Sequence, residues 1–226
     1  MLDSLERTRD DLEAVFPRLP SDMTVVLHDR PLSLTMSNPM MPLTWLGTAP
    51  AARRYIAGWV GSDELHVLAP PVLAARASNV PGSREMLALS APALYARRVV
   101  AENNPDVPPR LTPARIRLEL RWAWLLEGAG RWFGGQTDHA RPAIARRLRE
   151  GGRPAFPPGL RDAALLGGTV IDLLAREQGL EAAIEFVSRL HPQGPRPALS
   201  KAFRGRPFVH TEGAWRSHLA RLASAG

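Results

Sequence analysis

Cysteine is absent from the 226 residues of this chain. Its absence excludes disulfide bonds, iron–sulfur clusters, thiol catalysis and zinc held by cysteine. Long apolar runs are absent too, since none approaches the roughly 20 residues that a membrane-spanning helix needs. Residues 1–16 alternate acidic and apolar side chains without the continuous apolar stretch of a secretory signal. We therefore expect a globular protein of the cytoplasm that has no membrane partner.

Lysine is almost absent as well, because Lys201 is the only one and arginine supplies nearly all the positive charge behind the net charge of +7. This bias, together with frequent alanine and proline, is typical of a GC-rich bacterial genome. A basic chain can bind nucleic acid, which stays open as an alternative. The arginines are spread along the sequence, however, and this favours solvated faces over one binding surface. The densest groups are Arg53 with Arg54, Arg97 with Arg98, and Arg146 with Arg147 and Arg149.

The first third of the chain predicts a helix followed by a small sheet. Asp3 with Glu6 has the spacing of a capping box at a helix start. Gly61-Ser62-Asp63 has the residues of a tight turn between two apolar, β-branched runs. The predicted elements are a helix over 3–16, a strand over Met23–His28, an irregular connection over 30–50, and a hairpin of 54–60 with 64–68.

From about residue 84 onward the apolar spacing is helical. Thr112-Pro113 has the residues of a helix start, with threonine as the N-cap and proline in the first turn. We expect an α+β fold, in which a small antiparallel or mixed sheet in the N-terminal third precedes a mostly helical body. We expect one domain over 1–226, built from a helix and β-rich part over 1–72 and a helical part over 84–226. The predicted helices cover 84–103, 113–131, 138–149, 163–178, 180–190 and 199–203, and a last helix is capped by Thr211.

One helical segment, Trp122-Ala-Trp-Leu-Leu-Glu-Gly-Ala-Gly-Arg-Trp-Phe133, carries a single carboxylate among apolar and aromatic side chains. That carboxylate, Glu127, is of interest because a carboxylate is rarely buried unless it is paired or binds a metal. Gly128 and Gly130 each cost about 1 kcal/mol inside a helix. They fit a close approach of another backbone, or a helix that ends there and leaves Glu127 in solvent. The spacing alone leaves both interpretations open.

The run WLLEGAGRWFGG, residues 124–135, resembles the WLxEGxAxYxxG helix of the gluzincin metallopeptidases, the peptidase-MA-like group. The resemblance covers roughly residues 22–222. It implies a zincin-like fold, and it implies that Glu127 stands where that family has its third zinc ligand. Further similar segments are Val67-Leu-Ala-Pro-Pro71 after the strands, a helix pair from Leu166 to Val187, and a closing stretch made of Ala198–Phe203 and Thr211–Leu222.

The HExxH helix of that family has no counterpart in this chain. In HExxH, two histidines four residues apart bind zinc and the glutamate between them is the general base. The matching stretch is Ala91-Pro92-Ala93-Leu94-Tyr95, so alanine and tyrosine replace the histidines and proline replaces the base. No histidine lies between His66 and His139, so a shifted alignment does not restore the motif. Pro92 either kinks this helix or marks its start, with Ser90 as a possible cap.

The histidines do not form a metal-binding pattern elsewhere in the sequence either. No two of them stand three to five residues apart, although three have an acidic neighbour: His28 with Asp29, His66 with Glu64, and His139 with Asp138. Such pairs are more typical of polar loops and strand ends than of metal ligands. The six histidines are His28, His66, His139, His191, His210 and His218.

The sequence therefore predicts a gluzincin-like protein that is catalytically inactive and lacks zinc or any other cofactor. We expect a binding or structural role in a cleft retained between the 84–103 and 114–131 helices, with a peptide or protein partner. A first alternative is a hydrolase with a relocated site, in which Glu127 acts with Tyr95 or a remote histidine. A second is an arginine-rich nucleic-acid-associated protein. The candidate cleft residues are Ala91, Pro92, Tyr95, Arg98, Trp124 and Glu127.

Overall fold

The first part of the chain forms one helix and a three-stranded sheet. The computed structural model describes residues 1–108 and 112–224. The sheet has the order β1-β3-β2, with β1 parallel to β3 and β2 antiparallel to it, so the predicted hairpin is confirmed and the sheet is mixed. Asp3 and Glu6 form no capping box, because no side chain caps the first helix. The elements are α1 (Leu2–Glu13), β1 (Thr24–His28), β2 (Gly58–Val60) and β3 (Glu64–Leu68).

The prediction of an irregular connection over residues 30–50 was wrong, since this stretch holds three short helices. Each has a proline in its first turn. Proline is compatible with that position because the first helical N–H groups have no partner within the helix. The prolines therefore start helices here and do not exclude them. The helices are α2 (Pro31–Met36), α3 (Met41–Gly47) and α4 (Pro50–Arg53).

The predicted 84–103 helix is two helices that meet at Leu89. Pro92 lies in the first turn of the second helix, so it belongs to a helix start and does not kink a long helix. Ser90 does not cap this helix; its buried hydroxyl has no partner among the described residues. The predicted cap at Thr112 is confirmed, because its side chain accepts the Arg115 N–H at 3.1 Å. The helices of this region are α5 (Pro70–Arg76), α6 (Ser83–Ala88), α7 (Ser90–Glu102) and α8 (Pro113–Phe133).

The remaining helices complete the body and carry two corrections. The predicted 138–149 helix is divided in two, and Thr211 lies inside the last helix instead of capping it. Gly179 ends its helix with φ 92°, as its position after the predicted 163–178 helix suggests. The helices are α9 (Gln136–His139), α10 (Arg141–Arg149), α11 (Leu160–Gln178), α12 (Leu180–Val187), α13 (Pro195–Ala202) and α14 (Phe208–Ser224).

The core lies where α7 and α11 pack on either side of α8. At the α8–α11 contact a Cβ on Gly167 would overlap the Trp124 carbonyl, and a Cβ on Gly128 would overlap the Gly167 backbone. The glycines of the 122–133 segment therefore allow close backbone approach, and the helix does not end at them. On the sheet, Leu65 and Val67 are fully buried toward the helical body. The chain is thus an α-dominated α+β fold with a small mixed sheet.

Across residues 1–108 and 112–224, no helix combines the length and the apolar character that a bilayer-spanning helix requires.

Candidate functional site

Glu127 lies on α8 and faces α7, where it forms an ion pair. Its Oε1 atom is 2.8 Å from Nη1 of Arg97, and the two side chains keep 29% and 26% of their exposure. The carboxylate is therefore half-buried, and a guanidinium compensates its charge. The expectation that a carboxylate in this apolar helix needs a partner agrees with the geometry. The partner itself, Arg97, was not anticipated from the sequence.

A second guanidinium, that of Arg131, lies one helical turn after Glu127. It donates to Oε1 of Gln136 at 2.7 Å and to the Tyr55 carbonyl at 3.2 Å. Burial lowers the pKa of Arg131, an effect that the charge of Glu127 opposes and that of Arg97 reinforces. Gln136 in turn donates to the Met86 carbonyl. Two guanidinium groups therefore lie near Glu127. Hydrogen bonds from Arg131 and Gln136 connect this cluster to the segments that contain Gln136, Tyr55 and Met86.

The two positions aligned with the zinc-binding histidines do not face Glu127. Ala93 and Arg97 form the face of α7 that contacts α8, since Cβ atoms on Gly130 and Gly134 would meet Ala93. Two residues along an α-helix correspond to a rotation of about 200° about its axis, so such side chains point to nearly opposite sides. Tyr95 consequently points elsewhere, and the charged groups that act on its hydroxyl, Arg9 and Glu13, belong to α1. Burial raises the pKa of this hydroxyl.

The other candidate cleft residues are dispersed. Ala91 is 0% exposed and Trp124 is 2% exposed, and Pro92 is buried in the first turn of α7. Arg98 turns toward the sheet, where it pairs with Glu102 at 2.6 Å and donates to the Ser62 carbonyl at 2.8 Å. The structure therefore does not gather the six predicted residues in one open cleft. Of that set, Glu127 alone joins the charged cluster with Arg97 and Arg131.

Sequence reasoning missed a second polar cluster, on the outer face of the sheet. Nε2 of His66 lies 3.0 Å from the Glu64 carboxylate, and Nδ1 of His66 lies 2.9 Å from Nε2 of His28. Nδ1 of His28 is 3.3 Å from Oγ of Ser33. The ring of Trp59 stacks on His66 with centroids 4.1 Å apart. The sequence shows the pairs His28 with Asp29 and His66 with Glu64. It does not show that β1 pairs in parallel with β3 and so brings His28 next to His66, because the two strands are distant in the chain.

Neither cluster has the ligands of a metal site. Among residues 1–108 and 112–224, no group of three or more histidine, aspartate and glutamate side chains is arranged to hold a metal ion. No family model, curated protein or solved structure matches this chain.

Proposed function

We propose that this chain is a zincin-like, gluzincin-type protein that is catalytically inactive as a metallopeptidase and acts through a binding or structural role. The observation that carries the proposal is the ion pair of Glu127 with Arg97. A carboxylate that served as a zinc ligand would have to offer its oxygen to a dication. Here that oxygen accepts a guanidinium, so the charge of Glu127 is already compensated.

The surroundings of Glu127 do not fit a zinc ion. Arg97 and Arg131 place two fixed positive charges beside the carboxylate, and both would repel a dication at that point. Ala93 packs against the backbone at Gly130 and Gly134, so α7 and α8 lie close together in the part of α8 that follows Glu127. The mechanism of the family, a zinc-bound water and a glutamate base, therefore gains no support from these residues. We assign the cluster a role in joining α7, α8 and the Tyr55 segment.

The two alternatives find less support in the geometry. A relocated hydrolase site needs Tyr95 beside Glu127, but the surroundings of that hydroxyl lie toward α1. A nucleic-acid surface needs unpaired arginines on one face, yet two of the three densest arginine groups contain residues that pair with acids. These pairs are Arg97 with Glu127, Arg98 with Glu102, Arg146 with Glu150, and Arg147 with Asp162. A peptide or protein thus remains the proposed partner.

Elemental analysis is the first experiment. The protein is purified without chelator or affinity metal, and bound zinc and hydrolysis of unfolded casein are measured for the wild type and for Glu127→Gln. We expect far less than one zinc per chain and no casein hydrolysis from either protein. Zinc near one per chain in the wild type that is lost in Glu127→Gln would overturn the proposal.

The structural role of the pair gives a second prediction. Arg97→Ala removes the cation of a half-buried pair, so we expect a loss of at most about 1 kcal/mol in free energy of unfolding. The exposed pair Lys201 with Glu185, 3.8 Å apart, supplies the control variant Lys201→Ala, with a smaller effect expected. Urea titration followed by circular dichroism measures both. A more stable Arg97→Ala that also gains stoichiometric zinc would instead mean that the arginine blocks a functional metal site.

A further inference from the structure

The line of side chains Glu64, His66, His28 and Ser33 has a hydrogen-bond direction that follows from donor and acceptor counts. A carboxylate only accepts, so Nε2 of His66 carries the proton that it gives to Glu64. When His66 is neutral, its imidazole has this one donor only, so Nδ1 of His66 is an acceptor. Nε2 of His28 must then donate across the 2.9 Å contact. The outcome is a lone pair on Nδ1 of His28 that points at the Ser33 hydroxyl.

The hydroxyl of Ser33 is free to turn toward that lone pair. It has two acceptors, the Arg30 carbonyl at 2.8 Å and Nδ1 of His28 at 3.3 Å. Rotation about the Cβ–Oγ bond exchanges them without moving the backbone. Ser33 is exposed in the first turn of α2, so its oxygen is accessible to a solute. A nucleophile and base at this separation are common before substrate tightens the contact.

The positions of the two imidazoles are held by their neighbours. The Trp59 ring stacks on His66 at an interplanar angle of 11°, and its Nε1–H donates to Oγ of Ser37, the residue that follows α2, at 2.8 Å. His66 is 9% exposed and lies on β3 opposite Val26 of β1. Ring orientation is therefore set by packing and pairing on both sides.

The protonation state of His28 suits a base at neutral pH. Burial and then the neighbouring His66 lower its pKa, and Asp29 partly opposes them. Glu64 is the remaining charged group of the line, and α2, with the sequence PLSLTM, brings no titratable side chain. The lowered pKa favours the neutral imidazole of His28, whose lone pair is then available.

We propose that Ser33 is an acyl-accepting nucleophile with His28 as its general base, and that the substrate is an ester of an apolar carboxylic acid. The apolar class follows from α2 itself, because Leu32 and Met36 beside Ser33 are 68% and 78% exposed. His66 and Glu64 are positioning residues, because they act through His28.

The reaction is balanced without any further reagent. Ser33 Oγ forms a bond to the ester carbonyl carbon while its proton passes to Nδ1 of His28. The C–O bond to the alcohol then breaks, and the alcohol departs with that proton. Water attacks the acyl-serine in the same way and gives the carboxylic acid and free Ser33.

This site is independent of the Glu127 cluster. Side chains alternate across a strand, so His66 and its neighbours Leu65 and Val67 lie on opposite faces of the sheet. Leu65 and Val67 are 0% exposed and belong to the core, whereas the line of histidines lies on the outer face under α2. Activity at Ser33 would leave the metallopeptidase proposal intact, and zinc at Glu127 would leave the Ser33 proposal intact.

Covalent labelling tests the inference on the full chain. The protein is incubated with an alkyl fluorophosphonate, and peptide mass spectrometry locates and times the adduct. We expect an adduct on Ser33, none on that peptide in Ser33→Ala, and a rate at least about 100-fold lower in His28→Ala. The controls are Ser62→Ala, an exposed serine beside Asp63, and His210→Ala, an exposed histidine of α14, and both should label at the wild-type rate.

The pH profile separates a positioning role from a structural one. The labelling rate should rise with pH to a plateau with a midpoint below 6.5, the ordinary histidine value. Glu64→Gln should move that midpoint lower, because the charge that favours the imidazolium is lost. A fall in rate with no change in midpoint would assign Glu64 a structural role only. An absent Ser33 adduct, or a His28→Ala rate equal to that of the wild type in a folded variant, would overturn the inference.

p-Nitrophenyl esters then test the substrate class. We expect hydrolysis that requires Ser33 and that is faster for octanoate than for acetate, with the difference reduced in Leu32→Ser. Equal rates for the two esters would contradict an apolar acyl substrate even where Ser33 is labelled.

Discussion

At the scale of single residues, Asp172 shows how a buried carboxylate is stabilised in this fold. It accepts a hydrogen bond from Nε2 of His218 at 2.7 Å and one from Nε of Arg176 at 2.9 Å. Burial alone would raise the pKa of Asp172, but the two donors outweigh it and the pKa lies below its ordinary value. The ionised form is therefore preferred in the folded chain more than in the unfolded chain.

The depressed pKa predicts how stability depends on pH. The contribution of Asp172 is complete above the unfolded-state pKa of about 4 and is lost as the pH falls through the lower folded-state value. Asp172→Asn should cost about 2 kcal/mol at pH 7, and the difference from the wild type should shrink below pH 4. Urea titrations from pH 7 to pH 2 measure it, with the exposed Asp22→Asn as the control. A difference that is constant across this range would contradict the assignment.

Residue-scale reasoning from the sequence reached Glu127 but not its surroundings. An isolated carboxylate among tryptophans and leucines needs a partner, and the partner exists. Arg97 is 30 positions away along the chain, and no spacing rule links the two helices. For the same reason the sequence does not predict the contact of His28 with His66, since 38 residues separate them.

At the scale of elements, glycines determine how closely α8 and α11 approach. Gly128 and Gly167 lie face to face, so the two backbones touch where side chains would normally separate them. Helices with larger residues at the contact lie about 8–10 Å apart, whereas small residues permit less. The spacing of Gly128 and Gly130 left two interpretations open, and the structure bears out the close approach, to Gly167 for Gly128 and to Ala93 for Gly130.

Substitution of these glycines should separate packing from helix propensity. Gly167→Ala places a methyl group against the Trp124 carbonyl, and we expect a loss of about 2–3 kcal/mol in free energy of unfolding. Gly213, inside α14, has open space where a methyl group would lie, with nothing within 4 Å, so Gly213→Ala should gain up to about 1 kcal/mol from propensity. Chemical denaturation of both variants gives the comparison. A Gly167→Ala protein as stable as the wild type would refute the close contact.

At the scale of the whole molecule, the sheet and the helical body share one core. Buried apolar side chains of β3, α7, α8, α11 and α14 belong to a single cluster that extends from Leu12 to Leu222. The buried side chains of the three-stranded sheet pack on the helices, so the sheet keeps its apolar contacts only while the helical body is folded. The 1–72 and 84–226 parts are therefore expected to unfold together.

This cooperativity is a prediction with a simple measurement. Urea unfolding followed by circular dichroism at 222 nm reports mainly the helical body, and fluorescence includes Trp59 on the sheet. We expect coincident transitions, because loss of either part exposes the shared core. Phe replaces Trp59 in the control protein, so that the sheet no longer contributes a tryptophan to its fluorescence. An early fluorescence transition present in the wild type and absent from Trp59→Phe would indicate that the sheet unfolds separately.

The local elements follow from residues that are close together in the sequence. Helix spacing, the Thr112 cap, the hairpin turn and the Gly179 helix end depend on residues within a few positions of one another, and these features were predicted correctly. The short helices α2 to α4 were not, because their prolines resemble loop residues unless the helix start is considered. The alignment with HExxH placed Ala91 and Tyr95 at the positions of the two histidines. It did not show which way these side chains point in the folded chain.

Which faces of the elements meet depends on contacts between distant parts of the chain. The rotation of α7 about its axis follows from packing on α1, α8 and the sheet together, and it directs Arg97 instead of Tyr95 toward Glu127. Parallel pairing of β1 with β3 places His28 beside His66. Both results depend on contacts between distant segments, whose free energies come from the burial of shared surface. Local sequence patterns do not indicate which distant segments bury surface together, so neither charged site could be predicted from the sequence.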